Sequence, residues 1–183
     1  MRRIPLLTTL AASAALAAVL PATVLAPTGS EAAALARADF DRLKALAGDW
    51  CVVGEDGAVA DESTWSFRVT AGGNAVLETM FIGSQHEMIT VYHIDGDALA
   101  LTHYCVVGNQ PHMHALPDQP EDVLAFECTG AAGLASPDEA HMHRGQMKLL
   151  GKDEIQTEWR MFQGEENVHT ASFHLKRQGR ELR

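Results

Sequence analysis

Along most of this chain apolar and polar residues alternate in short runs, with Gly-, Asp- and Asn-containing turns between them. One stretch departs from that pattern. Over residues 30–46 alanine is frequent, and Leu35, Phe40, Leu43 and Leu46 recur near helical spacing. This predicts a helix that Ser30 or a later Asp caps and Gly48 ends. Beyond Gly48 the alternation predicts strands over 50–53, 63–70, 75–82, 88–93, 98–105, 112–116, 123–128, 140–150, 154–162 and 168–176. Residues 129–138 read as a loose Gly/Ala/Ser/Pro connection. Short antiparallel strands after a single helix predict a mainly β fold: an N-terminal helix followed by a sandwich or a closed barrel of about eight to ten strands.

Residues 86–111 form the central unit of this pattern, one hairpin turning at Asp95-Gly96-Asp97. With Gly96 as a bulge residue, Val91 faces Leu99, Ile89 faces Leu101 and Glu87 faces His103. The odd positions then point inward and carry His103 and Cys105 with them. Gly108-Asn109-Gln110-Pro111 follows as a turn bearing two amide side chains. The last three strands repeat the design. With a loop at Gly151-Lys152-Asp153, Leu149 faces Ile155, Met147 faces Thr157 and His143 faces Met161, with Trp159 near Gly145. His141 and His143 share the inward face, because residues two apart on a strand point the same way. His169 follows Ala171, Phe173 and Leu175 inward, and His174 points out.

Four inward histidines admit two readings. They line a wet polar cavity, hydrogen-bonded to water and to one another. Alternatively His103, His141 and His143 hold one transition metal and leave an open position, or a single axial His holds a haem. His112-Met113-His114 shows that the His-x-His pattern also arises elsewhere in the chain. No nucleophile elbow, His-Glu-x-x-His motif or phosphate loop is present.

The first 34 residues change the picture of where the chain works. Met1-Arg2-Arg3 and the Ala-rich apolar run over residues 6–20 read as an export signal, cleaved between residues 26 and 34, or else as an uncleaved anchor. The expected mature domain is 35–183, periplasmic or secreted, with no stable membrane span once the signal is removed. Removing 1–34 takes away two Arg and one Glu. Twelve basic and 23 acidic side chains remain, a net −11 that argues against nucleic acid as a partner. Export permits a disulfide. Of Cys51, Cys105 and Cys128, the pair Cys105–Cys128 is the expected bridge, with three free thiols as the alternative.

Two resemblances follow. Gly48-Asp49-Trp50, opening the first strand, resembles the Gly-x-Trp signature of lipocalins and other calycins. In those proteins the Trp closes the barrel bottom under a basic side chain of the last strand, here Lys176 or Arg177. A longer pattern includes Leu46-Ala47-Gly48-Asp49-Trp50, Glu78-Thr79-Met80-Phe81, His86-Glu87-Met88, Leu101-Thr102-His103-Tyr104-Cys105, Gly108-Asn109-Gln110-Pro111 and His141-Met142-His143-Arg144. It resembles exported bacterial calycin-like barrels related to lipocalins and nitrobindins, whose role is unassigned, and it implies their fold. The expected function is small-molecule binding inside the barrel, with Glu87, Tyr92 at the rim, His103, Asn109, Gln110, His141, His143 and Trp159 as contacts. The alternative is a metal- or haem-dependent enzyme using the same histidines, with Glu87 as general base.

Overall fold

The computed structural model describes residues 29–179. Helix α1 (Gly29–Ala45) precedes ten strands: β1 (Gly48–Val52), β2 (Trp65–Thr70), β3 (Ala75–Met80), β4 (Met88–Asp95), β5 (Ala98–Tyr104), β6 (Gln110–Ala115), β7 (Val123–Ala132), β8 (His141–Leu149), β9 (Glu154–Gln163) and β10 (Glu166–Arg177). Each strand pairs antiparallel with the next. β10 returns to β1 through Trp50↔Arg177, Cys51↔Lys176 and Val52↔Leu175, so the sheet closes. Among the described residues closure leaves no strand without a neighbour on each side. A closed, all-antiparallel ten-stranded barrel with one helix fits a calycin-like architecture. Among the described residues no helix is long and apolar enough to cross a membrane. The expected signal segment falls largely outside them.

The barrel has two different ends. At the first, α1 lays Ala36, Phe40 and Leu43 into the core, while Leu35 of the expected apolar stripe is exposed. Its last carbonyls have no partner within the helix. Arg177 satisfies the final one, Nη2 donating to Ala45 O (3.0 Å), and its Nη1 donates to Leu46 O (3.2 Å) and Ala47 O (2.7 Å) just past the helix. The same guanidinium lies 4.5 Å over the ring of fully buried Trp50, whose Nε1 donates to Leu46 O at 2.9 Å. The residue over the Trp is therefore Arg177. Lys176, one position earlier, has its Nζ 3.9 Å from Glu154.

At the opposite end the connections β1–β2, β3–β4, β5–β6, β7–β8 and β9–β10 surround a mouth. Three register shifts lie in this half of the barrel, at Thr129 between β6 and β7, at His143 between β8 and β9, and at Val168 between β9 and β10. Each inserts one extra residue, which bends the strand and re-aims its side chains.

Two expected registers are corrected. The β4–β5 turn holds only Gly96 and Asp97, with Gly96 at φ 62°, so Asp95 pairs with Ala98, Tyr92 with Leu101 and Thr90 with His103. Thr90 and Tyr92 point inward on β4 in place of Ile89 and Val91, and β5 keeps Leu99, Leu101 and His103 inward. Glu87 precedes β4 and does not face His103. On β8, Leu149↔Ile155, Met147↔Thr157 and Gly145↔Trp159 hold as expected. The bulge at His143 then puts Met142, not His143, opposite Met161.

Candidate functional site

The mouth opens into a cavity of about 600 Å³. Its wall is almost wholly apolar: Met80, Met88, Met142, Trp159, Met161 and Phe173 line it, and Phe81, Ile82, Val106 and Val107 form much of its rim. Phe81 has φ 56°, unusual for a bulky residue. That backbone leaves its ring packed against Trp65 (5.4 Å) and Phe173 (5.3 Å). Ile82, Val106 and Val107 are exposed, so the apolar lining continues to the surface.

His103 is the buried polar residue of this lining, 1% exposed. Its ring lies against Trp159, with centroids 4.8 Å apart. Nδ1 is 2.9 Å from Thr90 Oγ1, and Nε2 has no hydrogen-bond partner among the described residues. Burial lowers its pKa from 6.5 to about 4, so the ring is neutral near pH 7.

Thr90 links His103 to a second buried group that sequence reading missed. Glu78 of β3 is fully buried. Trp65 Nε1 donates to one of its oxygens (2.7 Å) and Tyr92 Oη to the other (2.6 Å), and the neighbouring Thr90 hydroxyl also favours the carboxylate form. Burial raises its pKa from 4.5 to about 7 against the opposing effect of those bonds. With the imidazole proton on Nδ1, His103 donates it to Thr90 Oγ1. Nε2 of His103 then carries a lone pair. The available signal was Glu78 itself, between Val76 and Met80 on one face of a strand, but Leu77 on the other face left the parity of Ala75–Met80 open.

The other expected residues are distributed differently. Tyr92 is not at the rim: it is buried, 2% exposed, with its hydroxyl on Glu78 and its ring 5.6 Å from Phe126. Glu87 is exposed and accepts from Gly83 N–H at 2.7 Å, so it is not placed to act as a base on a guest beside His103. Asn109 is buried and donates to Ala140 O at 2.9 Å, tying two mouth loops together, while Gln110 donates to Gly108 O at 2.9 Å. Neither lines the cavity. Trp159 does, and so does His169 at the mouth.

His141 and His143 do not join His103. The β8 bulge gives the cavity wall to Met142 and takes both imidazoles off it. They lie instead with Cys128, one donor atom from each residue within 4.8 Å of the others. The expected set of His103, His141 and His143 is therefore replaced at one corner by Cys128. Nor does Cys128 bridge Cys105. All three cysteines are free, with Cys105 in the cavity wall 4.0 Å from Met88 Sδ. In place of the four-histidine interior expected from parity, the cavity is mostly apolar and keeps His103 and His169 of that set.

No protein-family model matches the chain, and a search of curated proteins finds no relative.

Proposed function

We propose that this protein binds a small, neutral, largely apolar molecule inside the barrel, with one polar group of the guest meeting His103. The observation that carries this reading is His103 itself: an almost wholly buried imidazole in an apolar cavity of about 600 Å³, with one ring nitrogen unpartnered. A buried polar atom without a partner costs free energy comparable to a lost hydrogen bond, and a guest that supplies the partner recovers it. The volume lies within the range of small-molecule sites, and such sites combine apolar walls with few polar anchors. A neutral imidazole offers no charge to offset the desolvation of an ionised guest, so the guest is uncharged. With the imidazole proton on Nδ1, against Thr90 Oγ1, Nε2 accepts and the matching group is a donor: an alcohol, phenol, oxime or secondary amine.

In this reading residues 1–34 are an export signal and 35–183 the mature binding domain, acting in the periplasm or outside the cell. Expression of the full chain, fractionation and intact mass then give a mature protein beginning between residues 27 and 35. An uncleaved chain held in the membrane fraction contradicts that part.

N-phenyl-1-naphthylamine, an apolar fluorophore with one N–H, serves as the probe. One saturable site per chain is expected, with His103→Leu binding roughly tenfold more weakly, as expected for about 1.4 kcal/mol, and His174→Ala, on the outer face, unchanged. Absence of saturable binding sinks the cavity reading. Equal affinity of wild type and His103→Leu sinks the role of His103.

A further inference from the structure

A second site lies off the cavity, in the barrel wall where β7 and β8 approach the mouth. Two bulges fall beside each other there. Thr129 is the extra residue of β7, immediately after Cys128, and His143 is the extra residue of β8. A regular β8 would keep His143 on the face of Gly145 and Met147. The bulge instead sets it against the ring of Phe162 at 5.2 Å and beside His141.

We propose that Cys128, His141 and His143 together form a binding site for one divalent transition-metal ion. His141 Nδ1 is 2.8 Å from Glu139 O, and only an N–H can bond a carbonyl, so the proton is on Nδ1 and the lone pair on Nε2. This is the bond to a backbone carbonyl that orients metal-ligating imidazoles. Nε2 of His141 lies 3.1 Å from Nδ1 of His143. Metal–nitrogen bonds of about 2.0–2.1 Å and metal–sulfur bonds of about 2.3 Å put tetrahedral donors roughly 3.3–3.7 Å apart. The two nitrogens are already at nearly that separation, and the three donor atoms span no more than 4.8 Å. A small rotation of side chains closes the set.

A thiolate with two imidazoles selects borderline and soft ions such as zinc, cobalt or copper over magnesium and calcium. Three protein ligands leave a fourth position for water. The Arg144 guanidinium next to His143 does not stand as an isolated positive charge, because it pairs with Glu127 at 2.7 Å. Binding releases one proton from the Cys128 thiol to solvent. The proton of His143 moves from Nδ1 to Nε2, freeing Nδ1 to coordinate, and no electron is transferred. The site does not depend on what the cavity binds.

Cobalt(II) tests the proposal on the full mature chain without an affinity tag. The expected result is a thiolate-to-cobalt charge-transfer band saturating at one ion per chain, displaced by zinc, with about one proton released. Cys128→Ser abolishes the band, His143→Ala weakens binding at least tenfold, and Cys105→Ser and His174→Ala leave both unchanged. Far-UV circular dichroism checks that each variant is folded. A second measurement needs no variant: bound zinc protects Cys128 from maleimide, mapped by mass spectrometry. A folded wild type that shows no band, a band that persists in Cys128→Ser, or alkylation of Cys128 unaffected by zinc overturns the site.

Discussion

At the scale of single residues, two buried ionisable groups oppose each other inside the barrel. Glu78 is raised from 4.5 to about 7, so it favours folding below pH 4.5 and loses that contribution as pH rises through 7. His103 is lowered from 6.5 to about 4, so its contribution is present above pH 6.5 and lost as pH falls through 4. In the shared window the folded pair carries its proton on Glu78 and the unfolded pair on the imidazole, so the two pH dependences offset. Single variants separate them. Relative to wild type, Glu78→Gln should gain stability between pH 4 and 7.5, and His103→Leu should lose it, each by on the order of 3 kcal/mol. Urea denaturation across that range measures both differences. Parallel curves for wild type and both variants would contradict the shifts. Arg177 is the other decisive residue. Arg177→Met removes a cation–π contact and the cap of α1, and should cost roughly 1–3 kcal/mol in the same assay. Arg177→Lys should recover only part of this, since one ammonium cannot replace the planar fork.

At the scale of elements, the hairpin β4–β5 and the strand β8 show where alternation is informative and where it is not. On β5 the odd face was legible because Leu99 and Leu101 are opposed by polar or small residues at 100, 102 and 104. On β4 Ile89 and Val91 alternate with Thr90 and Tyr92, and both faces are apolar enough to fit a core. Turn length then decides the register, and a turn shorter by one residue reverses the inward face. On β8 the parity of Gly145 and Met147 holds, and the bulge re-aims His143 itself and reverses the parity for His141 beyond it. Such bulges have no sequence signature at this site. Gly145 is a third case: a Cβ there would lie 3.0 Å from the Trp159 ring. Gly145→Ala should cost roughly 1–3 kcal/mol by overpacking. Because Trp159 packs against His103, it should also shift the affinity for N-phenyl-1-naphthylamine. A fully stable variant with unchanged affinity would mean that the ring has room to move.

At the scale of the whole molecule, the barrel separates a stabilising end from an open one. α1, Trp50 and Arg177 fill and cap the first end, and the apolar cavity occupies the second. A guest that binds only the folded state adds stability by mass action, about 2.7 kcal/mol at a hundredfold excess over Kd. For a domain of this size that should raise Tm by roughly 5–10 °C with N-phenyl-1-naphthylamine. The His103→Leu variant should show a smaller rise at the same probe concentration. Differential scanning calorimetry reads both, and a wild-type Tm insensitive to the probe argues against binding to the native barrel.

The sequence by itself determined what repeats locally: one amphipathic helix, ten alternating strands, the turns between them and the Trp near the start of the first strand with a basic residue near the end of the last. These are properties of neighbouring residues, and the burial of Leu, Ile, Phe and Trp enforces them wherever one face is clearly apolar. Only the tertiary structure decided which polar side chains meet. That Glu78 rather than Glu87 lies within the barrel, that Thr90 links it to His103, and that His141 and His143 join Cys128 all follow from strand register and three bulges. Register is set by hydrogen bonding around a closed sheet, where each strand must satisfy two neighbours at once, and no single stretch of sequence carries that constraint.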